Sequence, residues 1–255
     1  MWEDGLWFDP GKREAVARCL KEGWGIADSE LIEPMQRQVS FSIPWIFAGP
    51  HPHTPNCSLW NQFYFSKFGL IPRYCRTRCH KVVVKPRTVK ELFLVHEVQK
   101  ALNHPGKCGV DTRPYTNAAY AGFWYCRSME EGRERYKEVR EHLDQYLPDG
   151  RNIPLILKKG CTEMEDPRNK GGKSSDQWGE PNQEETDFED RLDHMFSRHD
   201  PHVTQPEWLK QKIQLDWLEY AYSIGDSTYK EVIPTDIFGV KTINYAEDQP
   251  KQGGK

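Results

Sequence analysis

The order of short apolar segments between residues 80 and 157 constrains the fold of this chain more than any other feature of its sequence. Residues 80–85 are rich in valine, and Pro86, which has no amide hydrogen for a strand ladder, ends the strand that they predict. Thr88 is a good N-cap for a helix over residues 89–102, where apolar side chains recur at helical spacing. This region therefore begins with a strand that is followed directly by a helix.

Two more strands, a second helix and a last strand follow. Residues 108–113 and 118–127 are predicted strands, the second of them rich in aromatic residues. A capping box that starts at Ser128 begins the second helix, and residues 153–157 form the last strand. The order β-α-β-β-α-β over about residues 80–160 is the split βαβ, or ferredoxin-like, pattern. We therefore predict an α+β protein with a ferredoxin-like core, an architecture that hosts many functions.

The regions on either side of this core differ from it in composition. Aromatic residues interrupted by Pro and Gly crowd residues 41–68 and predict irregular structure that packs through its rings. Over residues 161–200, twelve acidic residues outnumber five basic ones, which predicts a solvated segment. The predicted units are an N-terminal helix and aromatic-rich lobe (1–72), the core (73–165), an acidic Gly/Ser linker (166–186), a helical extension (187–245) and a disordered tail (246–255).

The composition of the whole chain limits its compartment and partners. The 255 residues carry a net charge of −3, which argues against a uniformly basic coat for nucleic acid. No run approaches the roughly eighteen apolar residues of a membrane span, and the first residues lack the pattern of a signal peptide. We expect a soluble intracellular protein, cytoplasmic or, in a eukaryote, nuclear, without a membrane partner. Its seven cysteines are then expected to be reduced thiols, metal ligands or a nucleophile.

Cysteines near the first predicted strand have a spacing that suits a metal ion. Cys75 and Cys79 are separated by three residues, and Cys108 with Cys57, or with His80 in place of Cys57, would complete a tetrahedral set of four ligands; the set of four thiolates is the one that we choose. We predict a structural zinc ion at these four residues, because it would cross-link a loop-rich lobe that has a sparse core. An iron–sulfur cluster uses the same thiols. The alternative to any metal is that Cys57 and Cys108 are small buried apolar residues.

Basic residues crowd the same stretch of sequence. Alternation in the first strand places Lys81, Val83 and Lys85 on one face, which would be the open face of a sheet backed by two helices. A positive face of this kind holds the phosphate groups of nucleic acid. The predicted phosphate contacts are Arg73, Arg76, Arg78, Lys81, Lys85 and Arg87. The alternative is a core strand next to a solvated run of charge.

The aromatic strand over residues 118–127 would supply stacking rings to the same face. Alternation exposes either Phe123, Tyr125 and Arg127 or the pair Tyr120 and Trp124, and we choose the first set because a charged residue prefers the open face. The strand loosely resembles the basic-Gly-aromatic run of RNA-recognition modules, without its leading Lys/Arg-Gly pair. That resemblance implies that rings on this strand stack on bases.

A thiol-dependent enzyme is a different interpretation. Cys161 lies where the last strand gives way to a loop, and the neighbouring Lys158 and Lys159 would lower its pKa and activate it as a nucleophile. Glu163 would transfer protons, and Arg127 would join the two lysines in holding an anion. The alternative is a polar strand end with a half-buried cysteine.

Three functional hypotheses follow. The first is a nucleic-acid-binding or nucleic-acid-processing protein with a structural metal, whose partner is single-stranded nucleic acid or a nucleotide. The second is an enzyme that acts on a phosphorylated small molecule or nucleotide through Cys161. The third is an adaptor that recruits a protein partner through its acidic extension and last helix. The residues do not decide whether the protein is an enzyme.

Overall fold

The computed structural model describes residues 24–26, 32–34, 44–50, 60–113, 116–147, 149–166, 168, 172–195 and 205–233. The strands are β1 (Trp24–Ile26), β2 (Ile32–Pro34), β3 (Trp45–Ala48), β4 (His80–Val84), β5 (Gly106–Val110), β6 (Tyr120–Cys126) and β7 (Leu155–Lys159). The α-helices are α1 (Ser66–Phe68), α2 (Arg73–Thr77), α3 (Val89–Leu102), α4 (Met129–Tyr146), α5 (Thr162–Glu165), α6 (Gln183–Met195), α7 (Glu207–Ile224) and α8 (Tyr229–Val232). A π-helix, Trp60–Phe65, leads into α1, and short 3-10 helices lie at Gly150–Asn152 and Ser175–Gln177.

Five of the strands form one antiparallel sheet in the order β3-β5-β6-β4-β7. One row of paired residues crosses the whole sheet and consists of Phe47, Lys107, Phe123, Val83 and Ile156. Strands β1 and β2 pair with each other in a separate two-stranded sheet. The protein is thus a mixed α/β structure built on a five-stranded antiparallel sheet.

The elements from β4 to β7 follow the order β-α-β-β-α-β that the sequence predicts. Both long helices begin at a formed cap: the amide of Glu91 donates to Thr88 Oγ1 at 3.2 Å, and the amide of Glu131 donates to Ser128 Oγ at 3.2 Å. Strand β3 adds to the sheet beyond β5, so the sheet has one strand more than the four of the predicted pattern.

The bounds of two strands differ from the predicted ones. Strand β5 begins at Gly106 rather than Cys108, because Gly106 pairs with Ala48 on one side and Trp124 on the other. Ladder bonds from two neighbours therefore hold residues that look like a turn in the sequence. Strand β7 begins later than predicted and continues through Lys159, because its last residues still pair with the start of β4.

Strand β3 is absent from the sequence prediction, which assigned irregular structure to its Pro- and Gly-rich surroundings. It pairs with β5, and the two strands approach very closely at Gly109. A Cβ atom at Gly109 would lie 1.9 Å from the carbonyl oxygen of Pro44, so a residue with a side chain there would push the strands apart. Pairing of β3 with β5 therefore requires a glycine at this position.

A glutamine from the C-terminal part of the chain binds the outer side of β3. The amide of Phe47 donates to Gln205 Oε1 at 2.8 Å, and Gln205 Nε2 donates to the carbonyl of Trp45 at 2.8 Å. These two bonds connect the edge of the sheet to the residues that lead into α7.

Helices α3, α4 and α7 pack on one face of the sheet and form the main core with it. The sequence predicts a helix from about Trp208 to Gly225 that docks on the core, and α7 confirms it: Ile213 and Trp217 are fully buried, and Gly225 ends the helix in the left-handed conformation. Burial of each such large apolar side chain contributes about 1.5–3 kcal/mol of transfer free energy. Trp217 Nε1 also donates to the carbonyl of Pro44 at 2.8 Å.

Some predictions fall on residues that the structure does not describe. The predicted helix between Asp9 and Gly23, Cys57 and the predicted tail from residue 246 all lie outside the described residues. Within the described ranges, the helices are too short or too polar to cross a lipid bilayer.

Candidate functional site

The face of the sheet that is turned away from α3 and α4 carries a group of cations and rings. The predicted alternation holds in β4: Val82 and Val84 face the helices, whereas Lys81 and Val83 lie on the opposite side. In β6, Phe123 and Tyr125 share that opposite side. We call this surface the cationic face and define it by Trp45, Lys81, Lys107, Arg113 and Phe123.

Lys107 is at the centre of the cationic face. Its ammonium nitrogen lies 4.4 Å from the ring centroid of Trp45 and 5.6 Å from that of Phe123. Within the described part of the chain its ammonium forms no direct ion pair with a carboxylate, and its charge is offset by the two ring faces and, less directly, by Cys161 and Asp111.

The surroundings of Lys107 disfavour the protonated form of its side chain. Burial lowers the pKa of Lys107 to about 8, and the neighbouring cations Arg113 and Lys81 add to this effect by repulsion. A lysine whose pKa is lowered by burial and like charges gains stabilisation when an anion binds beside it. The site therefore favours an anionic ligand.

Arg113 is the second cation of the cationic face and contacts two carboxylates, those of Asp111 and Glu163. Its guanidinium binds Asp111 through two hydrogen bonds of 2.7 Å, and it lies 3.7 Å from Glu163. Its central carbon lies 5.9 Å from the ring centroid of Trp45. Both carboxylates contact Arg113, so Asp111 compensates the charge of Lys107 only in part.

Lys81 joins the cationic face to a group of sulfur atoms. It is only 7% exposed, and its ammonium donates to Cys161 Sγ at 3.4 Å. Burial alone would lower the pKa of Lys81, but the thiols of Cys161 and Cys79 raise it above its ordinary value. The proton of Lys81 is therefore held most firmly when a neighbouring sulfur atom is a thiolate.

Three cysteines meet at this end of the sheet. Cys79 precedes β4, Cys161 follows β7, and Cys75 lies in α2; the side chain of Cys79 is hydrogen-bonded to both of the others. We call Cys75, Cys79 and Cys161 the thiol cluster. Trp178, from the predicted linker, is only 8% exposed and packs in the same apolar group.

The structure does not bring the four predicted zinc ligands together. Cys108 lies on the helix side of the sheet, where its sulfur is 3.8 Å from His96 Nδ1, whereas Cys75 and Cys79 are in the thiol cluster on the other side. Cys57 is outside the described residues. Among the residues that the structure describes, no three His, Cys, Asp or Glu side chains are arranged to hold a metal ion. Zinc at Cys75 and Cys79 stays a prediction.

Three of the six predicted phosphate contacts are engaged in ion pairs. Arg73 binds Asp190 at 2.7 Å, Arg76 lies 3.1 Å from Glu185, and Arg87 binds Asp149 at 2.9 Å. Both partners of Arg73 and Arg76 come from α6, so the acidic segment covers the basic one. Lys85 donates to Asn117 Oδ1 at 2.9 Å, while Arg78 and Arg127 are exposed.

The surroundings of Cys161 differ from the predicted ones. Lys158 donates to Thr162 Oγ1 at 3.0 Å, and Lys159 lies 6.0 Å from the ring centroid of Trp178, so the lysine that donates to Cys161 is Lys81. The hydrogen bond with Cys79 and burial raise the pKa of Cys161 well above its ordinary value, although Lys81 opposes them. The thiol is therefore protonated at neutral pH, contrary to the activation that the sequence suggests.

Sequence reasoning missed three members of the cationic face: Trp45, Lys107 and Arg113. Lys107 precedes the predicted strand 108–113, and Trp45 lies in the segment that is predicted to be irregular. Alternation along a strand that begins at Gly106 would have placed Lys107 with Lys81, but that start depends on pairing with β3. Glu163, predicted as a proton donor, lies beside Arg113 and accepts a hydrogen bond from Asn61.

Comparison of the chain with known protein families, with characterised proteins and with solved structures found no match. The chemistry of the cationic face and of the thiol cluster is therefore the basis on which a function is inferred.

Proposed function

We propose that the cationic face binds a nucleotide unit, either within a single-stranded nucleic acid or as a free nucleotide. Lys107 would contact the phosphate, and the rings of Trp45 and Tyr125 would contact the base. The observation that carries this proposal is the ammonium of the half-buried Lys107, which lies between two rings and forms no direct ion pair with a carboxylate in the described part of the chain.

Two further features support an anionic and aromatic ligand. Lys81, Lys107 and Arg113 are three cations against the two carboxylates of Asp111 and Glu163, both of which contact Arg113. The cations also lie at the faces of rings, which is the combination used by sites that hold phosphate and stack bases. The contacts that we propose are therefore on β3, β5 and β6 rather than in the basic stretch from Arg73 to Arg87.

Titration of the purified chain with inorganic phosphate, a mononucleotide and a single-stranded oligonucleotide tests the proposal. We expect the oligonucleotide to bind at low salt, with a Kd that rises as salt is added. Loss of one phosphate contact in Lys107→Met should weaken binding about tenfold, which corresponds to about 1.4 kcal/mol. The slope of log K against log salt should fall by about one in the same variant.

Lys100→Met is the matched control. Lys100 is an exposed lysine of α3 that pairs with Glu97 at 3.0 Å, away from the cationic face. It should bind like the unchanged protein, and Lys107→Arg should retain most of the affinity. The proposal fails if none of the three ligands binds at low salt, or if Lys100→Met weakens binding as much as Lys107→Met. If inorganic phosphate binds with the same affinity as the mononucleotide and the oligonucleotide, the protein makes no contact with the base.

We infer that the unit from β4 to β7 is a ferredoxin-like core to which β3 has been added. The order β7-β4-β6-β5, with every neighbouring pair antiparallel, supports this inference. Open sheet faces in cores of this kind are able to carry binding sites, as the cationic face does here.

The two other hypotheses stay predictions. A nucleophilic role for Cys161 is weakened by its raised pKa. An adaptor role is favoured by the outer side of α7, where Trp208, Leu215 and Tyr222 are 60%, 51% and 55% exposed at intervals of seven residues.

A further inference from the structure

The outer side of α7 carries a continuous stripe of exposed side chains. Its apolar members are each more than half exposed, and the two residues that alternate with them are charged and exposed. Members of the stripe follow one another at alternating intervals of four and three residues, which keeps them on one side of a helix. This is the spacing of the seam along which two helices pack in coiled coils. We call this stripe the α7 seam; it consists of Trp208, Lys212, Leu215, Glu219 and Tyr222.

The apolar part of the α7 seam has the size of an interaction surface. Large side chains have surfaces of about 150–250 Å², so Trp208, Leu215 and Tyr222 together expose on the order of 300 Å². The largest apolar patch of an ordinary monomer is of this size and is often functional. The ring of Tyr222 is also held in place, since its centroid lies 5.8 Å from that of Tyr229 in α8. The surface is therefore partly pre-formed for a partner.

The order of residues in the α7 seam makes it complementary to itself. Trp208 and Tyr222 lie seven residues before and after Leu215, so a two-fold axis at Leu215 sets the indole of one copy against the phenol of the other. Lys212 lies before Leu215 and Glu219 after it, so the same axis brings these opposite charges together. Two parallel seams would instead oppose lysine to lysine and glutamate to glutamate, which disfavours that orientation.

The two charged residues of the α7 seam are able to make this contact. Glu219 has no ion-pair partner among the residues that the structure describes. Lys212 lies 3.1 Å from Asp216 of the same helix, but both side chains are exposed and such a pair contributes little to stability. Lys212 can therefore turn to a carboxylate on another molecule at little cost.

We propose that the α7 seam binds a second copy of this chain, as an antiparallel pair of helices centred on Leu215. Trp208 of each copy packs on Tyr222 of the other, and Lys212 of each copy pairs with Glu219 of the other. A contact with this two-fold symmetry closes at two copies. Because α7 packs on the helix side of the sheet, the cationic face on the opposite side stays uncovered in the dimer, and the two proposals hold or fail independently.

The dimer is expected to be weak. The apolar residues of two seams contribute on the order of 600 Å² of buried surface, about half of the roughly 1,200 Å² at which stable interfaces begin. The charged residues add a polar rim to this area. We therefore expect a Kd on the order of 10–100 μM. At the roughly 1 μM of a circular dichroism experiment the chain is then a monomer, and unfolding measured there reports on single copies.

Sedimentation velocity of the full chain from about 1 μM to about 1 mM, with a reducing agent to prevent disulfides between copies, tests the proposal. We expect the mass to rise from that of one copy to that of two and then to stay constant. Leu215→Asp sets two carboxylates against each other at the axis and should stay a monomer throughout. Tyr146→Ala is the matched control: Tyr146 is 48% exposed at the end of α4, and its loss should leave association unchanged. Circular dichroism verifies that each variant is folded.

Charge substitutions test the orientation of the two helices. Glu219→Lys opposes two lysines in the antiparallel pair and Lys212→Glu opposes two glutamates, so each should raise the Kd about tenfold at low salt. The double variant Lys212→Glu/Glu219→Lys exchanges the charges and should return the Kd to within about threefold of that of the unchanged protein. Within one copy these residues are two helical turns apart, so recovery depends on contact between copies.

Several results would overturn the proposal. A chain that stays a monomer up to about 1 mM would leave the α7 seam to a different partner. Growth beyond two copies, or a dimer that Leu215→Asp does not weaken, would put the contact elsewhere on the molecule. Single charge variants that associate like the unchanged protein, or a double variant without recovery, would contradict the antiparallel arrangement.

Discussion

At the scale of single residues, Lys107 has the least favourable environment for its charge. Its ammonium is held between the rings of Trp45 and Phe123 while Arg113 and Lys81 repel it. The unfolded chain releases this charge to water, so folding carries a cost whenever Lys107 is protonated. A residue kept in place at such a cost is a reasonable sign of a binding site, because binding an anion removes the cost.

We predict that Lys107 makes the free energy of unfolding rise with pH above about 8. Its pKa is 10.5 as the ordinary value and about 8 in the folded protein, so between these values the unfolded chain binds more protons than the folded one. Urea unfolding at pH 7.5 and pH 10 measures this. Relative to Lys107→Met, the unchanged protein should gain on the order of 1 kcal/mol at the higher pH.

Titration of other groups affects both proteins equally, so the difference between them isolates Lys107. Lys100→Met, which removes an exposed lysine, should follow the unchanged protein at both pH values. Parallel behaviour of the unchanged protein and Lys107→Met would show that the pKa of Lys107 is not lowered by folding.

At the scale of elements, α7 connects the edge strand β3 to the main core of the protein. Its buried side packs into the core through Ile213, Trp217 and Leu218, and the indole of Trp217 donates to the carbonyl of Pro44 directly before β3. Because Trp45 in β3 forms one wall of the cationic face, α7 positions part of the candidate site without touching a ligand.

We predict that Trp217→Ala lowers the free energy of unfolding by about 3–5 kcal/mol, as removal of a large buried ring usually does. Trp208→Ala is the matched control on the same helix, since Trp208 is 60% exposed and its loss should change stability by less than about 0.5 kcal/mol. Denaturant unfolding followed by circular dichroism measures both. Equal effects of the two substitutions would mean that α7 does not dock as the structure shows.

At the scale of the whole molecule, the acidic and basic segments of the chain neutralise each other. Two acidic residues of helix α6, Glu189 and Asp190, pair with Arg73 of α2. A third, Glu185, pairs with Arg76 of the same helix. Glu189, only 4% exposed, also accepts a hydrogen bond of 2.8 Å from the amide of Arg73. Arg73 and Arg76 therefore have little charge left for a ligand, in contrast to Lys107 on the cationic face.

We predict that arginines of the basic stretch contribute little to binding of a single-stranded oligonucleotide. Arg73→Gln and Arg87→Gln should each change the Kd less than about twofold, because ion-paired surface arginines have little charge left for phosphate. Lys107→Met should weaken it about tenfold in the same assay. Fluorescence anisotropy at low salt measures all three. A larger loss in Arg73→Gln than in Lys107→Met would place the binding surface on the basic stretch instead.

Local signals explain which parts of this architecture the sequence predicts. Capping at Thr88 and Ser128 and helical periodicity locate α3 and α4, and strand alternation correctly assigns Lys81 and Val83 to one face. These features depend on residues close together in the chain. The thiol cluster depends instead on the β4–β7 pairing, which brings Cys79 near Cys161, 82 positions further along the chain.

Long-range pairing also explains why part of the candidate site escapes sequence reasoning. Strand β3 has only four residues between Pro and Gly, and its place in the sheet depends on the close approach at Gly109. Lys107 looks like a turn residue until β3 and β6 pair on either side of it. Arg73 and Arg76 look available for phosphate because their partners lie more than a hundred residues away.

The side chain of Gln205 has a consequence for self-association. The outer edge of a sheet presents N–H and C=O groups that template the addition of another strand. On β3, the Gln205 amide accepts from one such N–H group and donates to one such C=O group, so it imitates a residue of a sixth strand. A single carboxamide thus terminates the sheet, and its loss would turn β3 into a seed for edge-to-edge polymers of the protein.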